Sequence, residues 1–340
     1  VSGLRVAIVG CGLIGAKRAA ALGSEDELLA CCDVNEGAAR ELAERHGALA
    51  CADLEELLGT APEVVVVATV HDRLAELAER SLRGGAHVLV EKPAGTSSAQ
   101  IEGLIASQRE SGRLVKVGFN HRFHPGIERV VAEVRNGRHG ELMHLRARYG
   151  HGGRAGYERE WRTDPERSGG GELIDQGMHL LDLSHLLAGP LPLHAALLRT
   201  HFWETPVEDN AALILGEARS RTAPWALLHV SWTEWKNLFS LEVYCRTAKL
   251  QVDGLARSYG PQRLRIYRMG PELGPPEAQE ISYPDEDRSW EREWASFREA
   301  IAAGEERLLN GDLHDARYAW EQVEAAYETG PYAQMREALA

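Results

Sequence analysis

Long apolar runs are missing from this 340-residue chain: the most apolar stretch, Val64 to Val70, is bounded by Glu63 and His71. A membrane-spanning helix needs roughly 20 consecutive apolar residues, so no such span and no membrane partner is expected. Positive charge is also short. Lys and Arg number 38 against 51 Asp and Glu, a formal net charge of −13. Nucleic acid and anionic membranes both require a basic footprint, so neither is an expected partner. A local Arg cluster could still receive an anionic small molecule. Cysteine is sparse as well. The five are Cys11, Cys31, Cys32, Cys51 and Cys245, an odd number with no CxxC pair, and four sit in or beside predicted strands. They read as small buried residues of a reduced, cytoplasmic protein. The strand pattern beginning at Leu4 leaves no room for a signal peptide, which gives the same expectation. No internal repeat or low-complexity segment is evident.

What the chain does have is the composition of a soluble globular protein, 44% hydrophobic and 26% charged, and length for two cores. Its first unit is strand, Gly-rich turn, helix. The apolar Leu4–Val9 run leads into Gly10-Cys11-Gly12-Leu13-Ile14-Gly15, followed by an Ala-rich helical stretch over Ala16–Leu22. This is G-x-G-x-x-G in the context that gives it meaning. Its glycines permit a tight turn, close approach to a pyrophosphate and close helix–strand packing. The amides around Leu13 and Ile14, at the helix N-terminus, would face the phosphates. The next strand, Glu27–Cys32, ends in Asp33, and no Arg adjoins the following Val34-Asn35. An acid there accepts hydrogen bonds from ribose hydroxyls and repels a 2′-phosphate, which points to NAD rather than NADP.

Helices over Glu36–His46, Asp53–Leu58, Asp72–Arg83 and Ser98–Glu110 alternate with strands near Ala48–Cys51, Val64–Ala68, His87–Val90 and Leu114–Phe119. Strands without polar alternation, separated by helices, imply a doubly wound parallel sheet: an α/β Rossmann domain over residues 1–121. Residues 122–340 read differently. A helix over Gly126–Asn136 and a strand over Glu141–Tyr149 precede a loop rich in Gly, Arg and aromatics. Several strands without intervening helices then run from Leu193 to about Arg268, as expected for a large, mostly antiparallel sheet in an α+β domain. Pro271–Pro284 reads as an exposed loop, with helices near Trp290–Ala303 and Asp312–Glu328. All eight Trp lie from Trp161 onward and are expected to offer one broad sheet face.

Two short motifs carry the chemistry. Glu91-Lys92-Pro93 ends the His87–Val90 strand. Pro cannot donate to a ladder, so the strand stops and delivers Lys92 to the carboxyl edge of the sheet, where open α/β sheets bind ligands. Asp175 and His179 lie four apart in a helical stretch, which places them on one face as a pair. Arg154, Tyr157, Trp161 and Arg162 in the preceding loop suit the apolar and hydrogen-bonding faces of a polyol. His179, Asp182 and His185 form a row spaced by three, but with no HExxH or Cys partner no metal is expected.

Gly10-x-Gly12-x-x-Gly15, Glu91-Lys92-Pro93, Asn120-His121-Arg122-Phe123-His124-Pro125 and Gly170-Gly171-Glu172-Leu173-Ile174-Asp175-Gln176-Gly177-Met178-His179 occur in one order over essentially the whole chain. Together they resemble the glucose–fructose oxidoreductase/inositol dehydrogenase (Gfo/Idh/MocA) family. The resemblance implies NAD(P)-dependent oxidation of a sugar, nucleotide-sugar or cyclitol hydroxyl by a homodimer or homotetramer assembled through the antiparallel sheet. It matches Lys92, Asp175 and His179 to the family's catalytic residues, and places Glu91, Lys92, Thr69 and His71 among the cofactor contacts. Asn120 and Arg122 join the expected substrate contacts. Two departures stand out: Ala68-Thr69-Val70-His71-Asp72 replaces A-T-P-N-H, and Ala16-Lys17-Arg18 replaces the usual helix start. Lys17 and Arg18 either brace the pyrophosphate or are solvated. Two other activities fit such a chain. One is an NAD-using glycosidase that oxidises its sugar transiently; the other is a sugar or NAD sensor, which would have no use for Lys92 with Asp175 and His179.

Overall fold

The computed structural model describes residues 3–305, 308 and 310–334. The chain divides into two compact units, Val1–Asn120 with Trp290–Arg317 and His121–Ser289 with Tyr318–Ala340. The first crossing lies next to the boundary read at 121/122. The return of Trp290–Arg317 to the first unit departs from that reading.

In the first unit β1 (Arg5–Val9), α1 (Leu13–Ala20), β2 (Glu27–Cys32), α2 (Glu36–His46), β3 (Leu49–Cys51), α3 (Leu54–Gly59), β4 (Val64–Val67), α4 (His71–Arg83), β5 (His87–Val90), α5 (Ser98–Ser111) and β6 (Val115–Val117) alternate. The sheet order is β3-β2-β1-β4-β5-β6, and every pairing is parallel. This is the doubly wound order, with its switch point between β1 and β4, where the chain's ligand crevice is expected. Val64, Val65, Val66 and Val67 are all fully buried, as a central strand covered on both faces requires. Each such side chain contributes about 1.5–3 kcal/mol of transfer free energy. Local signals set the helix ends. Asn35 caps α2 by accepting from the amides of Gly37 and Ala38, and Ser97 caps α5 through the amide of Gln100.

The second unit holds α6 (Pro125–Arg135), β7 (Leu142–Gly150), the one-turn α7 (Pro165–Ser168), α8 (Met178–Ala188), β8 (Leu193–Arg199), β9 (Asn210–Gly216), β10 (Trp225–Ser231), β11 (Leu238–Cys245), β12 (Ala248–Asp253), β13 (Arg263–Arg268) and β14 (Glu277–Ser282). Its eight strands run β14-β13-β12-β11-β7-β10-β9-β8. All neighbours are antiparallel except β7 and β10. The α/β plus mostly antiparallel architecture is therefore as the sequence implies.

Two local readings change. The expected loop over Pro271–Pro284 contains β14, an edge strand whose exposed side chains reach β13 through Arg265–Glu280 (2.8 Å) and Arg268–Gln279 (2.9 Å). An edge strand needs only one partner, so its polar sequence conceals it. Nor do the Trp residues form one sheet face. Trp225 alone lies in a strand, and Trp290 and Trp294 belong to the first unit.

Two helices, α9 (Ser289–Ala303) and α10 (Leu313–Glu328), follow β14. Within the first unit, Trp294 and Phe297 of α9 join the apolar cluster of Leu4, Val6, Ala19 and Leu28. The indole of Trp294 donates to Asp26 at 2.7 Å. Contacts of that kind bring the late segment into the Rossmann unit.

Candidate active site

The Gly-rich turn in the first unit has the form a pyrophosphate requires. Gly10 adopts φ +93°, and a Cβ there would lie 2.4 Å from the carbonyl oxygen of Ala68. A Cβ on Gly15 would lie 1.9 Å from the oxygen of Gly10, so α1 packs onto the turn only because that atom is missing. Around Gly12 the opposite holds: a Cβ would meet nothing within 4 Å. Gly12 is also the N-cap of α1 and supplies no side-chain cap. The turn thus presents backbone amides, a helix dipole and open space together. Asp33 is fixed beside it, accepting from the amide of Cys11 at 2.6 Å and from that of Asn35 at 2.7 Å. The fit to a dinucleotide is complete in kind: donors for phosphate and an acid beside the turn for ribose. Thr69 and His71 follow β4 at the switch point. The Thr69 hydroxyl donates to the carbonyl of Val70 (3.2 Å), and the buried His71 opens α4.

Glu91 and Lys92 follow β5, and the Lys92–Pro93 peptide is cis. Lys92 is half-buried. The Glu91 carboxylate accepts from Arg18 Nε at 2.6 Å, while Arg18 Nη1 donates to Glu293 at 2.6 Å. All three side chains are buried, and Arg18 lies 4.4 Å from the Trp290 ring centre. Burial pushes the Glu91 carboxyl up, and Arg18 opposes that shift. Arg18 is thus held in two buried ion pairs and is not a solvated side chain. It fastens the residue before Lys92 to α1 and α9. Lys17 lies 5.2 Å from the same indole.

In the second unit, Asp175 and His179 sit at a change of helix type. Leu173–Gly177 form a π-helical turn that runs into α8 at Met178. Such turns recur at functional sites because the extra residue re-aims neighbouring side chains. Four-residue spacing across it is therefore not the simple α-helical pairing read from sequence. Asp175 is half-buried with Arg162 Nε 3.5 Å from its Oδ2. His179 is buried, and the His121 ring lies on it with centroids 3.8 Å apart. Tyr149, at the end of β7, packs edgewise against His179 at 6.3 Å. Gln176 donates to the Tyr259 hydroxyl at 2.9 Å.

The electrostatics of this cluster sort its members. Burial lifts the Tyr149 phenol well above its usual range and pushes Tyr259 up to about 12. Both shifts favour the protonated phenol, which can donate a hydrogen bond. Burial lowers His151, whose Nδ1 accepts from the amide of Gly153 at 2.9 Å.

Several residues expected at the substrate have protein partners of their own. Arg122 is buried and paired with Asp182 of α8, with Nε 2.8 Å from Oδ2 and Nη2 on Oδ1. Tyr157 is buried in a small core with Val207 and Trp232. Arg154 pairs with Glu160 at 2.6 Å, and Arg162 lies over Trp161 at 4.7 Å and close to Asp175. Asn120 is buried at the start of a 3-10 turn over Asn120–Phe123. The row of three splits up: His179 meets His121, Asp182 meets Arg122, and His185 stacks on Tyr318 at 4.2 Å. The sequence reading overlooked His121, Tyr149 and Tyr259 as site residues. His121 lies inside the Asn120–Pro125 motif, whereas Tyr149 is only the last residue of the strand expected over Glu141–Tyr149.

Parallel sheet order, glycine turn and acid at the end of β2 define an NAD-binding Rossmann protein carrying a second α+β unit. Comparison with known proteins agrees. Residues 4–119 match the model of an oxidoreductase family with an NAD-binding Rossmann fold, and residues 127–251 match the GFO/IDH/MocA C-terminal domain. The chain belongs to the Gfo/Idh/MocA oxidoreductase family. It is 33% identical over 195 residues to D-glucoside 3-dehydrogenase of Escherichia coli (strain K12), covering 55% of each chain. It is 30% identical over 216 residues to inositol 2-dehydrogenase 2 of Saccharopolyspora erythraea, covering 59% of this chain and 61% of the other. The matched stretch thus spans little more than half of these relatives. A solved levoglucosan dehydrogenase in complex with NADH and levoglucosan has the same fold, with TM-score 0.85 over 96% of this chain and 98% of that one at 18% identity.

Proposed function

We propose that this protein oxidises a secondary hydroxyl of a sugar, nucleotide sugar or cyclitol with NAD, or runs the reverse reduction. The observation that carries this reading is His179, buried beside a π-helical turn bearing Asp175, in a chain whose other unit is built to hold a dinucleotide. Bound NAD would supply the hydride acceptor. The Gly10–Gly15 turn would hold its pyrophosphate, Asp33 its adenosine ribose, and Thr69 and His71 would lie toward the nicotinamide.

Alcohol oxidation requires a base for the hydroxyl proton. Imidazole has an unperturbed pKa near neutrality, which suits His179 to that role, whereas the two buried phenols hold their protons. Asp175 would orient the base and bear on its charge. The ammonium of Lys92 would hydrogen-bond the reacting oxygen and stabilise negative charge as it develops. Relatives named for a glucoside, an inositol and levoglucosan support a polyol substrate. A homo-oligomer would bury the open sheet face, where Leu197, Ile214, Trp225 and Leu227 are exposed.

A spectrophotometric screen of NAD reduction against free hexoses, methyl glucosides, nucleotide sugars and inositols tests the reading. Turnover with at least one polyol is expected. No NAD reduction across the whole panel, with NAD bound, would overturn it in favour of a sensor.

A further inference from the structure

The triple glycine before the site helix looks like a flexible lead-in, yet it sits in a closed polar arrangement. An α-helical start leaves its first amides without intrahelical acceptors, and a nearby Ser, Thr or Asp usually supplies one. Gly169, Gly170 and Gly171 have no side chain to do so. The acceptors come instead from residues distant in sequence. Glu208, just before β9, accepts from the amide of Leu173 through Oε1 at 2.9 Å, and its backbone oxygen accepts from the amide of Glu172 at 3.0 Å. The Tyr327 hydroxyl, on α10, accepts from the amide of Gly171 at 3.0 Å and donates to Glu208 Oε2 at 2.7 Å. Three consecutive amides are thus held by one Glu–Tyr pair.

The glycines make room for that pair. A Cβ on Gly170 would come 2.2 Å from the Tyr327 hydroxyl, and one on Gly171 would come 2.1 Å from the Glu208 backbone oxygen. Gly171 in turn holds the next residues: its carbonyl accepts from the amides of Ile174 (3.1 Å) and Asp175 (3.0 Å). Glu208 and Tyr327 are both fully buried. Burial pushes the Glu208 carboxyl up to about 7. An apolar core would not carry that desolvation cost, so the position calls for a role beyond packing.

We propose that Glu208 and Tyr327 are positioning residues for Asp175, fixing through Gly171 and Leu173 the π-helical turn on which its carboxylate is presented. The proposal rests on the role assigned to Asp175 above. Loosening the pair lets the turn relax and displaces a carboxylate that must be set to within a fraction of an ångström of its working geometry.

The test is a double-mutant cycle on the full-length protein with NAD and three probes: methyl β-D-glucoside, D-glucose and myo-inositol. Tyr327→Phe removes one hydroxyl and keeps the ring, and Glu208→Gln is a second, independent lesion. In the wild-type background each should lower kcat about tenfold, the rate equivalent of one lost hydrogen bond, and leave the Kd for NAD unchanged. In an Asp175→Asn background the same change should lower kcat by less than about twofold, because its route to the chemistry is gone. The fall in Tm should be equal in both backgrounds. Equal fold losses in kcat in both backgrounds, or a lower Tm with unchanged kcat, would overturn the proposal and leave the pair merely structural. If Asp175→Asn itself turns over normally, or the wild type is inactive on these probes and on the rest of the polyol panel, the reading of Asp175 fails first and this inference falls with it.

Discussion

The imidazole of His121 lies nearly flat on that of His179, with centroids 3.8 Å apart and planes inclined by 20°. His121 is also edge-on to His124 at 5.6 Å and tilted against Tyr149 at 5.1 Å, so its own position is fixed from two further sides. A general base must keep its nitrogen aimed at the hydroxyl, and ring stacking is one way to hold it. Such a pair is worth ~0.5–1.5 kcal/mol beyond area burial. His121→Ala should lower kcat by up to about tenfold while His121→Phe retains most of it. Steady-state kinetics on the two variants decide this. Equal activity in both would remove the stack from the account.

Arg122 and Asp182 form a buried, bidentate pair. Removing one partner leaves the other charge uncompensated in the interior, at a cost of about 3–5 kcal/mol. Asp182→Asn should therefore lower the denaturant midpoint strongly while KM changes little in whatever folds. A raised KM at unchanged stability would return Arg122 to the substrate.

His124 supplies a pH-dependent term with a definite sign. Burial pushes it down to about 4, against the raising effect of Asp287 at 3.9 Å. In the unfolded chain it protonates near pH 6.5, and in the folded protein it stays neutral well below that. Stability is therefore unaffected above pH 6.5 and is lost as pH falls from there toward 4. Removing the group with His124→Gln removes this loss, so the stability gap between wild type and variant should narrow by about 2 kcal/mol from pH 7.5 to pH 5. Paired urea titrations at the two pH values measure it. A constant gap would show that His124 protonates in the folded state as easily as in the unfolded.

Asp33 should make NAD the preferred cofactor over NADP, through ribose hydrogen bonds and repulsion of a 2′-phosphate. Fluorescence titrations at one ionic strength should give a lower Kd for NAD, and Asp33→Ala should narrow the difference. Equal or tighter NADP binding by the wild type would contradict the assignment.

Much of this architecture is legible in the sequence, because the features that carry it are local. Unbroken apolar strands such as Val64–Val67 and the glycines of Gly10–Gly15 announce a parallel sheet and its phosphate turn within a few residues. What escapes is set by distant partners. Glu293 reaches Arg18 across 275 positions and Trp294 reaches Asp26 across 268, so nothing near α9 signals its return to the first unit. The π-helical turn escapes for a different reason. A spacing of four reads as one α-helical face, and the amide acceptors that shape the turn lie on Glu208 and Tyr327. Arg122 shows the same limit. Nothing near that Arg in the sequence signals the buried Asp182 it pairs with, 60 positions away.

The central claim is that Lys92 and His179 act on the reacting oxygen. The most direct measurement is kcat for Lys92→Ala and His179→Ala, alongside the Kd for NAD, on a polyol that the wild type oxidises. Each variant should lose on the order of 10²-fold or more in kcat at nearly unchanged NAD affinity. The double variant should lose less than the product of the two, because both groups serve one proton transfer. Wild-type turnover in both single variants, with at most a lowered Tm, would contradict the account.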